Sequence, residues 1–400
     1  MRPSDQTYNS TNASSSIHSL SPPPPPPPPP HLLHPHHQCI ATLKGDSSYT
    51  SSLILAGEFL VTGSSDKEIR LRSLSSLAVL DDETPTDDDH DLVVAAGNGA
   101  VKALVSSSDN KLIISAHQDH KIRVWKIDHV SKFHRQITHL ATLPTLSDRA
   151  LRLLAPKSRI QVRRHKKCTW IHHVDAVSAL ALSTDETLLY SVSWDRTLKV
   201  WRTSDFKCLE SIANAHDDAI NAIALSDDGR VYTASSDRRI RVWSRQESDS
   251  KTHLLMDTLE KHDSGVNALA LTGDGTVLYS GGSDGLILVW TTNEGGGMAA
   301  VGALRGHSKS ILCLDLLVEL VLSGSADKTV RIWTGVGRSY SCLAVVEGHK
   351  GPVKCIAAAY DHNYSSANAN PASAVSTCLL LYTASLDCDI KVWKIFLPLI

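Results

Sequence analysis

Leu188-Leu-Tyr-Ser-Val-Ser-Trp-Asp-Arg-Thr-Leu-Lys-Val-Trp201 is the stretch whose reading decides the fold. An apolar run closes on Ser191, an Asp follows four residues later, and an apolar–basic–apolar run leads to a Trp six residues past the Asp. The same phrase recurs as Thr62…Asp66…Arg72, Ser115…Asp119…Trp125, Thr233…Asp237…Trp243, Ser280…Asp284…Trp290, Ser323…Asp327…Trp333 and Thr383…Asp387…Trp393. A phrase returning at a fixed period marks one supersecondary unit stacked many times.

Outward from each phrase the period-2 signal of strands continues. Val177-Ser-Ala-Leu-Ala-Leu182 alternates, Ser183-Thr-Asp-Glu is a polar turn, and a second and third strand run to Ser191 and Trp201. A weaker fourth strand follows. The Trp-to-Trp spacings of 42, 47 and 43 residues between 201, 243, 290 and 333 fit a four-stranded propeller blade of about 40–45 residues. Seven copies predict an all-β, seven-bladed β-propeller. After Trp393 only seven residues remain, but Cys39-Ile-Ala-Thr-Leu-Lys-Gly45 resembles Cys342-Leu-Ala-Val-Val-Glu-Gly348. The N-terminal strand therefore closes the last blade, which removes exposed strand edges.

The predicted organisation is a Ser/Pro/His-rich tail over 1–37, with nine consecutive prolines at 22–30, and a propeller over 38–397. Insertions interrupt it at 81–96, 144–172 and 360–377. The first holds seven acidic residues among the eleven of 81–91. A proline run sits extended as polyproline II; it reads as a spacer, or as a ligand for profilin, SH3 or WW domains, which recognise that preformed helix.

Composition narrows the function. The chain is 20% charged with a formal net charge of −2, so no global basic field holds nucleic acid. No apolar run approaches the roughly 20 residues that span a bilayer, and the polar N-terminus reads as carrying no secretory signal. The eight Cys include no CxxC pair, which argues against a metal site or a redox motif; no metal and no cofactor is expected. Cys39, Cys208 and Cys342 recur seven or eight residues before the opening position of the next repeat. They read as small buried side chains, reduced in a cytoplasmic or nuclear protein.

These repeats resemble the WD-repeat family, in which a His, a Ser or Thr, an Asp and a Trp hydrogen-bond in series inside each blade. The resemblance implies five complete sets: His173/Ser191/Asp195/Trp201, His216/Thr233/Asp237/Trp243, His262/Ser280/Asp284/Trp290, His307/Ser323/Asp327/Trp333 and His349/Thr383/Asp387/Trp393. A buried carboxylate is tolerable only when paired and hydrogen-bonded, and this chain of donors supplies that. A Ser-His-Asp set also suits a hydrolase. A catalytic constellation occurs once, however, and is recognised by geometry; a set occurring five times reads as architecture. No catalytic residue and no enzymatic activity is expected. Two repeats depart: Asp46 and Arg72 stand where His and Trp belong in the first, and Gly97 replaces the His of the second.

The insertion over 144–172 predicts a short helix, Asp148–Leu154, capped by Ser147 and packing through Leu146, Ala150, Leu153 and Leu154, with Pro156 as its stop. Arg159, Arg163, Arg164, Lys166 and Lys167 follow in one basic stretch. Leu143-Pro-Thr-Leu146 with Gln161-Val-Arg-Arg-His-Lys-Lys167 and His173-x-Asp-Ala-Val177 is similar to the insertion of plant JINGUBANG-type WD-repeat proteins, a group whose propeller is likened to that of myosin heavy chain kinases. That resemblance implies a non-enzymatic regulatory protein acting through protein–protein interaction. The basic stretch has three readings: a patch for an acidic or phosphorylated peptide, a nuclear-localisation signal, or a solvated strand.

The function read from these observations is a scaffold for other proteins, such as transcriptional regulators or signalling proteins, with no membrane partner. Residues directly before each turn Asp that break from Ser are candidate contacts: Gln118, Trp194, Ala326 and Leu386, with Trp194 and Leu386 foremost. The alternative is a ubiquitin-ligase substrate receptor or phosphopeptide reader. The Trp residues are followed by Lys126, Arg202, Ser244, Thr291, Thr334 and Lys394, so the Trp-Asp-x-Arg ending of cullin-type adaptors is missing.

Overall fold

A computed structural model describes residues 36–44, 48–74, 92–95, 97–129, 135–153, 159–163, 166–245, 252–293, 295–336, 339–361 and 377–397. They form seven four-stranded antiparallel sheets and one two-stranded hairpin. The seven-bladed all-β propeller read from the repeat is the fold. Blade three shows the plan, with strands Val177–Leu182, Leu188–Ser193, Leu198–Arg202 and Cys208–Ile212 in that order from inside out. The inner strands neighbour one another around a ring, and Val353–Tyr360 of blade seven meets Thr50–Ala56 of blade one.

Blade seven closes with the N-terminal strand. His36–Lys44 pairs antiparallel with Asp389–Leu397, Cys39 opposite Trp393 and Lys44 opposite Asp389. The strand begins at His36, inside the stretch read as tail, because the rings of His36 and His37 meet Phe396 and Trp393 edge-on. The rest of the tail, the acidic run at 81–91 and residues 362–376 lie outside the described residues.

The turn between second and third strands is built alike in every blade. The residue after each turn Asp (Lys67, His120, Arg196, Arg238, Gly285, Lys328, Cys388) has φ between 66 and 79°. Six of the seven are not glycine, and left-handed backbone there costs about 1 kcal/mol or more. In six of the blades the Asp offsets it, its carboxylate accepting from the backbone N–H two residues on, as in Thr197 N to Asp195 Oδ1 at 2.9 Å and Thr329 N to Asp327 Oδ1 at 3.0 Å.

The core is divided among the seven seams between blades. Each Trp packs against the blade before it: Trp201 lies with Ile114, Val124 and Leu143, and Trp393 with Leu322, Ile332 and Val346. Burial of such side chains is the main favourable term, about 25 cal/mol per Å² of apolar surface.

The insertion departs from its sequence reading. Its helix is Leu146–Leu153, and the cap is Thr145, whose Oγ1 accepts from Asp148 N at 3.2 Å. Leu146 is 80% exposed and Ala150 is exposed, whereas Asp148 is buried and accepts the backbone N–H of Cys208 at 3.1 Å. The helix thus meets the outer strand of blade three through a charge-assisted hydrogen bond, a carboxylate accepting a backbone N–H. That cover also explains the cysteines. Cys208, Cys342 and Cys39 all stand opposite a Trp in register, but of the three only Cys208 is buried; Cys39 and Cys342 are exposed on their outer strands.

Candidate functional site

The five repeated quartets come together in the structure as hydrogen-bonded series. In blade three His173 Nδ1 lies 3.2 Å from Asp195 Oδ2, its Nε2 lies 2.8 Å from Ser191 Oγ, and Trp201 Nε1–H donates to that Oγ at 2.9 Å. The same three separations are 2.8, 2.8 and 2.9 Å for His216/Asp237, His216/Thr233 and Trp243/Thr233. They are 3.1, 2.9 and 2.8 Å for His262/Asp284, His262/Ser280 and Trp290/Ser280. In blade six, His307, Asp327, Ser323 and Trp333 make all three at 2.8 Å. His349, Asp387, Thr383 and Trp393 make them at 3.1, 2.8 and 2.8 Å.

Burial pushes the Asp237 carboxyl up, but the hydrogen bond and charge of His216 and the N–H groups of Asp217 and Arg239 hold it at about 2. The Thr329 hydroxyl, His307 and the N–H groups of Ser308 and Thr329 hold Asp327 at about 2, and His173, the Thr197 hydroxyl and the Val174 N–H hold Asp195 well below the usual carboxylate range. Burial holds His173, His307 and His349 below their ordinary value, with the partner Asp opposing it. A neutral imidazole donating from Nδ1 to the carboxylate and accepting at Nε2 from the hydroxyl satisfies every member. The hydroxyls of Ser191, Thr233, Ser280, Ser323 and Thr383 belong to residues with 0% exposure and take the indole N–H. No substrate carbonyl reaches them, so the sets are fasteners between strands and not nucleophiles.

Blade two fills its missing His from another place. His117, two residues past Ser115 in the same strand, sets its Nε2 2.7 Å from Ser115 Oγ and its Nδ1 3.2 Å from the Gly99 carbonyl. Trp125 still donates to Ser115 at 2.8 Å. Asp119, relieved of a histidine, takes two bonds from Arg123 at 3.1 and 2.5 Å. In blade one Ser48 and Ser64 donate to Asp66 instead of a histidine. A further buried set links blades three and four: His253 Nδ1 lies 2.7 Å from Glu210 Oε2, and Tyr190 Oη lies 3.3 Å from His253 Nε2.

The surface with binding geometry lies at the centre of the ring. Every inner strand carries a β-bulge between its first and third residues, as at Val101/Ala103, Val177/Ala179 and Val353/Cys355. A bulge leaves its extra residue outside the ladder and re-aims its side chain. The seven extra residues, Ser51, Lys102, Ser178, Asn221, Asn267, Leu312 and Lys354, join Tyr49 and Trp194 in lining one cavity of about 150 Å³. Lys102 Nζ stands 5.2 Å from the centroid of the Trp194 ring. Trp194 is 42% and Leu386 43% exposed, each just before its turn Asp.

The basic stretch of the insertion runs as a hairpin, Arg159–Arg163 with Lys166–Thr169, Arg159 opposite Thr169 and Gln161 opposite Lys167. Arg164 lies outside the described residues. Sequence reasoning found Trp194 and missed Lys102 and Lys354. Aligning the second residue of each inner strand is the signal that reaches them.

The profile of the WD domain, G-beta repeat family matches residues 88–126, 165–202, 206–244, 254–291, 299–334 and 340–394, over half of the chain. The first three strands of blade one, which lacks its His and Trp, fall outside the match. Telomerase protein component 1 of Rattus norvegicus is 25% identical over 241 residues, 58% of this chain and 9% of that protein. The DENN domain and WD repeat-containing protein SCD1 of Arabidopsis thaliana is 28% identical over 141 residues, 35% of this chain and 11% of its own length. The ribosome biogenesis protein YTM1 of Scheffersomyces stipitis is 24% identical over 288 residues, 69% of this chain and 61% of its own. The chain thus spans about a tenth of the first two relatives and under two thirds of the third.

Proposed function

The chain belongs to the WD domain, G-beta repeat family, and from that premise we propose that it is a non-enzymatic regulatory scaffold that docks protein partners on the ring face carrying Trp194. The exposed indole of Trp194, at the rim of the central cavity, carries this reading. A large aromatic held on a rigid turn loses little entropy on binding, and such residues anchor interfaces. Leu386, exposed at the equivalent turn of blade seven, extends the same face. Membership of the JINGUBANG-type group, action in the cytoplasm or nucleus, and a partner contact through the basic hairpin Arg159–Thr169 are parts of the proposal, resting on the residues quoted above.

Affinity capture from plant extract with wild type, Trp194→Asp, and an Arg163/Arg164/Lys166/Lys167 neutralised variant tests it. The reading expects a partner set that Trp194→Asp loses, and a subset that the neutralised variant loses. Identical partner lists for wild type and Trp194→Asp would discard the docking face.

A further inference from the structure

The central cavity has an uneven rim. Lys354, Ser51 with Tyr49, and Lys102 come from blades seven, one and two, which are consecutive around the ring. Among the described residues no carboxylate lines the cavity, and neither lysine makes an ion pair. Burial first, then the charge of Lys354, hold the Lys102 ammonium below its ordinary value, so the two cations face the same space uncompensated. Across the ring, Asn221 Nδ2 donates to the Val266 carbonyl at 3.0 Å and Asn267 Nδ2 to the Ile311 carbonyl at 2.9 Å. Those donations fix both amides and leave each Oδ1 as an acceptor. The hydroxyls of Ser51 and Ser178 already donate to neighbouring backbone carbonyls. The cavity therefore offers two ammonium donors on one side, two amide acceptors on the other, and an indole between them.

We propose that this cavity receives a phosphorylated side chain of a partner protein, its phosphate held between Lys102 and Lys354 and the flanking peptide N–H groups read by Asn221 and Asn267. This rests on the docking reading above and names the chemistry at its centre. Two unpaired lysines match a group of charge near −2, and charge-assisted hydrogen bonds are the strong kind. The acceptors and the Trp194 face suit a polypeptide, since a free phosphate ion has nothing to give them. The cavity of about 150 Å³ is several times the ~30 Å³ that one water occupies in the liquid, room for one side-chain head.

The test uses the full chain and an immobilised degenerate peptide library centred on phosphoserine, beside the same library with serine. Wild type is retained on the first and not on the second, and retention falls with salt. Lys354→Ala and the double variant Lys102→Ala/Lys354→Ala lose at least about tenfold in retention at an unchanged melting temperature. Lys102→Arg/Lys354→Arg keeps it. Equal retention on both libraries, or undiminished retention by the double variant, overturns the proposal. So does inorganic phosphate alone binding as tightly as the phosphopeptides, which would make this a small-anion site. Equal retention that still needs Trp194 would sink the phosphate reading and leave the docking face standing. Protein capture indifferent to Trp194→Asp would sink the docking face itself.

Discussion

Gly97 leaves room for the guanidinium of Arg123: a Cβ at residue 97 would run into Arg123 Nη2 and Cζ. Gly97 also has φ +109°, a conformation that L side chains avoid. The glycine is therefore not a decayed histidine. It belongs to a different solution, in which His117 supplies the imidazole and Arg123 the charge for Asp119.

Gly97→Ala should accordingly destabilise the fold by about 1–3 kcal/mol through strain and the displaced Arg123. Gly97→His should do no better, although it restores the residue typical of the repeat, since His117 already holds the ring position. Urea unfolding midpoints check both. A histidine variant more stable than wild type would refute the account of blade two.

Ser191 accepts the Trp201 indole N–H and faces His173 Nε2, so Ser191→Ala strands two buried groups at once. Leaving a buried polar group unsatisfied costs about 1–3 kcal/mol each. Ser191→Thr, which keeps the hydroxyl as Thr233 does in blade four, should lose far less. Thermal unfolding of the pair separates the lost hydrogen bonds from a mere change of volume.

The blades were legible in the sequence because a strand of period two and an Asp turn write themselves into adjacent residues. The cavity was not. Ser51, Lys102, Ser178, Asn221, Asn267, Leu312 and Lys354 look like ordinary members of alternating strands, and only the bulge turns them toward the ring centre. A bulge leaves no mark in composition. The seat of the helix over Leu146–Leu153 was hidden for a related reason: the partner of Asp148 is the N–H of Cys208, sixty residues on, while Leu146 and Ala150 of the apolar face are exposed and the side chains of Leu153 and Leu154 lie outside the described residues. The role of His117 was not legible because it depends on what Gly97 lacks.

Two groups, the buried His117 and the half-buried Asp315, make opposite contributions between pH 4 and 6.5. Burial, aided by the charge of Arg123, lowers His117 to about 4. Its folded value is below its unfolded one, so the stability it allows at neutral pH is lost as pH falls from 6.5 through 4. Burial raises Asp315 to about 6, against the N–H groups of Leu316 and Ala358. Its folded value is above the unfolded 3.8, so it costs stability above pH 6 and the cost fades as pH falls toward 3.8. Asp315→Asn should therefore be more stable than wild type at pH 7, by about 1–3 kcal/mol, with the gain gone by pH 4. Urea midpoints at pH 7, 5.5 and 4 read this, and parallel curves for variant and wild type would contradict it.

The seam between blades seven and one should be the first to open. Six seams each hold a Trp from the following blade, whereas this one holds Leu53, Leu60, Tyr382 and Val392 with no Trp, because Arg72 occupies the position. Its turn carboxylate, Asp66, is bonded by Ser48 and Ser64 and not by a buried imidazole. Local opening free energies follow such differences in buried contact, and one missing Trp is worth more than the ~1.4 kcal/mol that makes a tenfold change in exchange rate. Amides of Phe59–Ser64 should thus exchange at least about tenfold faster than those of Leu188–Ser193, the matching second strand of blade three. Equal protection of the two strands in native-state hydrogen exchange would mean that the fasteners within each blade, and not the aromatic packing between blades, set the order in which this ring comes apart.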